Sequence, residues 1–408
     1  MPAGQGFNAP PSINEIIYVS SFSASDPSGR VIAQAVAEYE AISGNSVTII
    51  WNGEEAGQAA NERLLAGAHI DLWDGNFEQN MGLNHEFMLE LSQFYDTPRP
   101  LWGGQTMREV ISPFLMELAL DISEGEEAAL LGIPFAPYSV SMVYNVGHFS
   151  SAGISSTPQT WDQFLSAVRM LSESGFVPLS SDMRPADAYG YMLARMMGHR
   201  FIEDLMGDAS LWYHPAVFRT ALAFEELGRY LSRYEARLYA GPRALENEQI
   251  SMRLMRTSDI GELLATRYQD SSIQLSAFNF PRLNGSDLGR DPGEDAHAMM
   301  YGSQAFFIPK ASSRADDVFD LISIILSPSF DQQLSVETMG IPFAGNIAWP
   351  HEISLLAAHF NQAPSRMPIT MHSTDNLKTQ ADYYFRQLLM RRITARQFVG
   401  AMLSQENP

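Results

Sequence analysis

The feature that most constrains this chain is an alternation. Over its first hundred residues, short runs rich in β-branched and aromatic residues are separated by longer stretches of helical periodicity. That order is the pattern of βαβ units, in which crossover helices return the chain to a mostly parallel sheet. Ile16-Ile17-Tyr18-Val19 reads as the first strand, and after the turn Ser23–Gly29 a helix places Val31, Ile32, Ala35, Tyr39 and Ile42 on one face before Gly44 ends it. Val47–Trp51 reads as the second strand, Glu55–Ala66 as its crossover helix and Ile70–Trp73 as the third strand.

Open parallel sheets bind ligands beyond the carboxyl ends of their strands. The segments to watch are therefore Ser20–Ser23, Asn52–Glu54 and Trp73–Asn76. They supply Ser21, Phe22, Asn52, Glu54, Trp73, Asp74 and Asn76, the end of the second strand adds Trp51, and later extended runs add Tyr138 and Tyr301. Aromatic faces suit the C–H faces of a sugar ring, and amides and carboxylates suit its hydroxyls. The plainer alternative is that such aromatics pack in a core and such polar residues merely turn the chain.

Farther along, Gly132–Asn145 is an extended run whose Pro134 and Pro137 forbid a helix and disfavour a central ladder, so it reads as a connector between domains. Thr160…Gln163 is a capping box opening a helix that carries Phe164, Leu165, Val168 and Leu171. After Gly175, Phe176–Leu179 reads as a strand leading to Asp182. From Ala186 to Tyr239 helical spacing dominates, with Tyr189, Leu193, Met196, Met197, Val217, Leu222, Leu227 and Leu231 as core. Ser251–Met255 and Gln274–Phe278 are strand-like, Gln304–Lys310 is a second crossover, and Ala315–Leu326 a helix with Val318, Leu321, Ile322 and Ile325 inward. Gly340–Asn346 is a third irregular stretch, and a second capping box, Thr394…Gln397, opens the last helix.

Composition narrows the function classes. At 408 residues with 45% apolar and 18% charged, the chain is a folded protein of two to three domains. A formal charge of −21 repels phosphate backbones and anionic lipid, so nucleic acid is excluded as a partner. With no cysteine there is no disulfide, thiolate metal site or cysteine nucleophile. No run reaches the ~18 apolar residues of a membrane helix, and residues 1–13 read as a polar tail. Neither Lys310 nor Lys378 completes a phosphate loop, no HExxH, GxSxG or GxGxxG occurs, and no two histidines stand four apart. Neither a cofactor nor a metal is expected.

Several segments together carry a family resemblance. Gly132-Ile-Pro-Phe-Ala-Pro-Tyr-Ser-Val-Ser-Met-Val-Tyr-Asn, then Ala152-Gly153-Ile154 and Pro158-Gln-Thr-Trp-Asp-Gln-Phe are similar to a pattern of the extracellular solute-binding proteins of ABC importers, in the carbohydrate-binding group that includes maltose-binding protein. Gly175-Phe-Val-Pro-Leu, Phe306-Phe-Ile-Pro-Lys, Ala315–Pro328 and Gly340-Ile-Pro follow in the family's order, so the resemblance runs from about Ile16 to Leu403. Gln163 stands where an acid is usual, and Thr257-Ser258-Asp259-Ile260 stands where many relatives carry Gly and Trp.

The resemblance implies an α/β, two-lobed periplasmic-binding-protein fold with three hinge crossovers. It would have an N-terminal lobe of 14–140 and 303–343, and a C-terminal lobe of 141–302 and 344–408. A sugar or oligosaccharide would be captured between the lobes by hinge closure, without chemistry, and delivered to separate permease subunits in the membrane. Trp51 and Trp73 would stack on it, and Ser21, Phe22, Asn52, Asp74, Asn76, Asp182, Arg256 and Asp259 would contact it. Tyr138, Tyr301 and Gly302 would lie near the hinge. The protein would be a monomer outside the cytoplasm, in the periplasm or lipid-anchored at the outer face of the membrane. Two rivals remain: a binder of polyamines or other cations using Glu54, Asp74, Asp182 and Asp259, and a glycoside hydrolase built on a pair of the acids.

Overall fold

The computed structural model describes residues 14–121, 129–179, 185–198, 201–202, 204–205, 208–231, 244–245, 247–256, 274–283, 299–338, 340–350, 366–368 and 375–404. Eight strands occur among them: β1 (Glu15–Ser20), β2 (Ser46–Trp51), β3 (Leu72–Asn76), β4 (Ile133–Asn145), β5 (Met252–Arg256), β6 (Leu275–Phe278), β7 (Met299–Phe307) and β8 (Arg366–Pro368). The chain forms two compact units, Met1–Pro137 with Gly302–His351 and Tyr138–Tyr301 with Glu352–Pro408. It passes from one to the other inside β4, inside β7 and after His351.

In the first unit β1 pairs in parallel with β2, from Glu15↔Ser46 to Ser20↔Trp51, and with β3 at Tyr18↔Leu72 and Val19↔Trp73. β7 runs antiparallel to β3, from Trp73↔Phe307 to Asn76↔Gln304, giving the order β2-β1-β3-β7-β4. The helix Pro27–Ser43 has proline in its first turn and ends on Gly44, whose φ of 72° is the left-handed cap that glycine adopts without strain. It buries Val31, Ile32, Ala35 and Tyr39 and packs against the helices Ala315–Ile325 and Pro328–Thr338, while Ile42, expected on the same face, is exposed. β3 lies farther along the chain than the spacing predicts, because Asp74–Asn76 continue the ladder with β7. Gly132 is required by packing: a Cβ there would stand 2.7 and 2.8 Å from the rings of Phe307 and Phe77.

The segment Gly340–Asn346, expected as the third crossover, belongs to the first unit. The buried carboxylate of Asp331 accepts the amides of Phe343 and Ala344, both at 2.8 Å, and Ala344 bridges Ile111. Those bonds tie the segment down where the sequence shows only glycine and proline.

In the second unit β4 runs antiparallel to β5, from Val140↔Arg256 to Tyr144↔Met252, and to β6, from Met142↔Phe278 to Asn145↔Leu275. Ile133–Asn145 is thus a strand of 13 residues that also connects the two units, as the run Gly132–Asn145 was expected to do. Its pairing with β5 and β6 begins at Val140, past both prolines, so neither removes a bond from those ladders. Of the expected strand Phe176–Leu179 only a bridge from Leu179 to Met252 forms. Both predicted capping boxes, Thr160…Gln163 and Thr394…Gln397, are made. The core gathers Trp161, Phe164, Tyr189, Phe224, Phe385 and Phe398, each large ring contributing roughly 2–3 kcal/mol by leaving water. Leu222, expected there, faces solvent.

Candidate functional site

The first unit places Ser21, Phe22, Trp51, Asn52 and Glu54 at the carboxyl ends of β1 and β2, where the parallel topology puts a ligand-binding edge. Ser21, Phe22, Trp51 and Asn52 are half-buried and Glu54 is exposed. Asn52 continues the β1–β2 ladder by donating its amide to the Ser20 carbonyl at 2.9 Å, which fixes the strand end beside Trp51. The Phe22 ring leans on Phe135, at 6.2 Å between centroids.

Two expected contact residues are internal instead. Trp73 is fully buried, stacked on Phe307 at 5.2 Å, with its indole N–H donated to Asn80 Oδ1 at 2.9 Å. Neither ring face is open to a sugar, because β3 turns this side chain into the core. Asp74 is likewise fully buried. It accepts the Tyr18 hydroxyl, the Ser21 hydroxyl and, at 2.9 Å, the Ser21 amide. Burial raises its pKa against the hydrogen bonds from Ser21 and Tyr18, and the Tyr18 phenol is pushed well up by its own burial and by Asp74. Asp74 therefore positions Ser21 and the end of β1 rather than reaching a ligand. Asn76 is half-buried and caps the helix Phe77–Asn84, accepting the Gln79 amide at 2.8 Å.

In the second unit the register brings Arg256, at the end of β5, and Asn279–Arg282, just past β6, to the edge where β4 enters at Tyr138. The Arg256 guanidinium lies 4.8 Å from the centre of the Tyr138 ring, and Tyr138 is buried. Tyr191 donates its hydroxyl to Asn279 Oδ1 at 2.5 Å and stacks on Phe280. Arg195 donates to the Phe280 carbonyl, with its guanidinium 5.3 Å from the Tyr191 ring centre. Burial lowers the Arg195 pKa, and Arg282 adds repulsion, against an opposing contribution from Tyr191.

Tyr301 pairs through its backbone with Pro368, and Gly302 is buried in β7. Asp182 and Asp259 lie outside the described residues. Sequence reasoning missed Tyr191, Arg195, Asn279 and Arg282. The available signal was Arg195 itself, a lone cation in the apolar run Tyr191-Met-Leu-Ala-Arg-Met-Met.

By sequence the chain matches no known protein family and no curated protein. By structure it is similar to a chitin oligosaccharide binding protein, at 15% identity over 96% of this chain and 98% of that one, with a TM-score of 0.76. It is also similar to a probable secreted solute-binding lipoprotein from Streptomyces coelicolor, at 14% identity over 97% and 99%, TM-score 0.73. A third likeness is to a sugar transporter from Bacillus licheniformis in complex with stachyose, at 16% identity over 96% and 98%, TM-score 0.68. These likenesses span nearly the whole of each chain, and what they establish is architecture: the chain has the two-unit α/β fold of solute-binding proteins.

Proposed function

We propose that this chain is the substrate-binding component of an ABC importer, which captures a sugar or oligosaccharide outside the cytoplasm and hands it to separate membrane permease subunits. It acts as a monomer, in the periplasm or at the outer face of the membrane, and leaves its ligand chemically unchanged. The observation that carries this reading is the end-to-end likeness to a chitin oligosaccharide binding protein and to a stachyose complex. The half-buried Phe22, Trp51 and Asn52 at adjacent strand ends support it, since they combine ring faces with an amide. The cation-binding rival loses Asp74, whose carboxylate is enclosed by Tyr18 and Ser21.

Thermal melting and calorimetric titration against a panel of oligosaccharides test the proposal. A bound sugar at 100 times its Kd should add about 2.7 kcal/mol to stability. Trp51→Ala should weaken binding about tenfold without lowering the melting temperature of the unliganded protein, as loss of one stacking contact predicts. Mass analysis should recover the sugar intact. A response to polyamines with none to sugars, or cleavage products, would overturn the reading.

A further inference from the structure

The second unit buries a cation to which the described residues bring no carboxylate. Arg195 is 6% exposed and is the only arginine or lysine among the described buried residues. Its guanidinium has the Phe280 carbonyl and the face of Tyr191, and its Nε has no acceptor there. Arginine keeps its proton in proteins, so this charge does not escape burial by neutralising. Arg195 sits in the last turn of the helix Pro185–Met197, where the helix dipole favours a cation. That contribution is small beside the cost of burying an ion without a counter-charge. Arg282 repels Arg195 rather than offsetting its charge. The open Nε lies on the side of the guanidinium fork that a carboxylate engages side-on.

We propose that the strand-end edge formed by Arg195, Tyr191 and Asn279 is an anion subsite, and that the saccharide this chain carries is acidic, its uronic carboxylate meeting Arg195. This rests on the sugar-binding reading above and names its substrate class. A carboxylate and a phosphate ester share the chemistry that Arg195 would recognise, and the titration below tells them apart.

The test titrates the intact protein with oligogalacturonates, oligoglucuronates and oligomannuronates. Each is paired with its methyl-esterified form, which keeps the backbone and removes the charge, and sugar phosphates and neutral oligosaccharides run alongside. At least one acid should bind, with its ester weaker by roughly 30-fold or more, as for loss of one partner of a buried charge pair. Arg195→Gln should erase that preference, and Arg195→Lys should restore part of it. The acid-to-ester ratio is read on the unmutated protein, so it stands even where a variant fails to fold. Neutral sugars bound as well as any acid would overturn the acidic assignment and leave the sugar reading standing. Tighter binding of a sugar phosphate would overturn the carboxylate. No binding by any sugar would overturn both readings.

Discussion

The two units finish their strands in opposite ways. At the first unit's edge the charged group, Asp74, faces inward and is saturated by Tyr18 and Ser21, leaving Phe22, Trp51, Asn52 and Glu54 to meet solvent. At the second unit's edge three arginines, Arg195, Arg256 and Arg282, gather around Tyr138, Tyr191 and Asn279. The difference teaches that a polar residue at a strand end has two separable uses. A carboxylate surrounded by donors from its own unit is a fastener that sets the position of its neighbours. A buried guanidinium whose described partners are one carbonyl and one ring still has donor capacity to offer.

The largest expected effect follows from Trp73. It is a core residue, so Trp73→Ala should cost about 4 kcal/mol, the range for truncating a large buried aromatic, and leave Asn80 Oδ1 without the indole donor. Scanning calorimetry should show the melting transition lowered by roughly 10 °C. Sugar affinity measured well below that transition should stay within about threefold, since a buried ring makes no ligand contact. The opposite pattern, near-native melting with affinity lost, would restore Trp73 as a stacking platform and erase the contrast between the two edges.

A pH titration sharpens the same contrast, because the first unit holds other internal carboxylates, Asp331 among them. Burial pushes Asp331 up to about 6 from 3.8, against the amide bonds from Ala344 and Phe343. A folded carboxyl that holds its proton more tightly than the unfolded one favours the native state below about pH 4. That advantage is lost as pH rises through about 6. The gap of about two units corresponds to about 3 kcal/mol. Asp331→Asn should remove this contribution, so unfolding free energies measured from pH 4 to 6 should fall more steeply for the wild type than for the variant. Parallel curves would mean that Asp331 is not the titrating fastener of Phe343–Ala344.

Much of the architecture was legible because periodicity reports burial directly. The Gly44 stop and both capping boxes depend on a few adjacent residues, and each forms where the residues indicate. The sequence does not show that Gly340–Asn346 belongs to the first unit, because what holds it there is Asp331, twelve and thirteen residues from the amides it accepts. The burial of Trp73 and Asp74 is hidden for a related reason: whether a strand ends at residue 73 or 76 is decided by its partner β7, more than two hundred residues away. Arg195 is not legible as a site residue because the apolar run around it reads as core, which it is, and periodicity does not show that its Nε has no acceptor among the described residues.

The smallest effect is the most local. Thr160 and Thr394 cap their helices in the same way, each accepting the amide of the residue three positions on, Gln163 or Gln397. Replacing either by alanine should cost about 1 kcal/mol of stability by urea unfolding. Their surroundings differ, however. Trp161, the first residue of the Thr160-capped helix, donates its amide to the Arg282 carbonyl at 2.7 Å, whereas Ala395 donates to Glu225 in the helix Pro215–Leu231. A loosened cap at Thr160 should therefore let the strand end beside Arg195 shift, weakening acidic-sugar binding about threefold. Thr394→Ala should leave that binding unchanged. Equal affinities in the two variants would show that the edge is held by β6 and Tyr191 alone, and that the start of the neighbouring helix plays no part in positioning it.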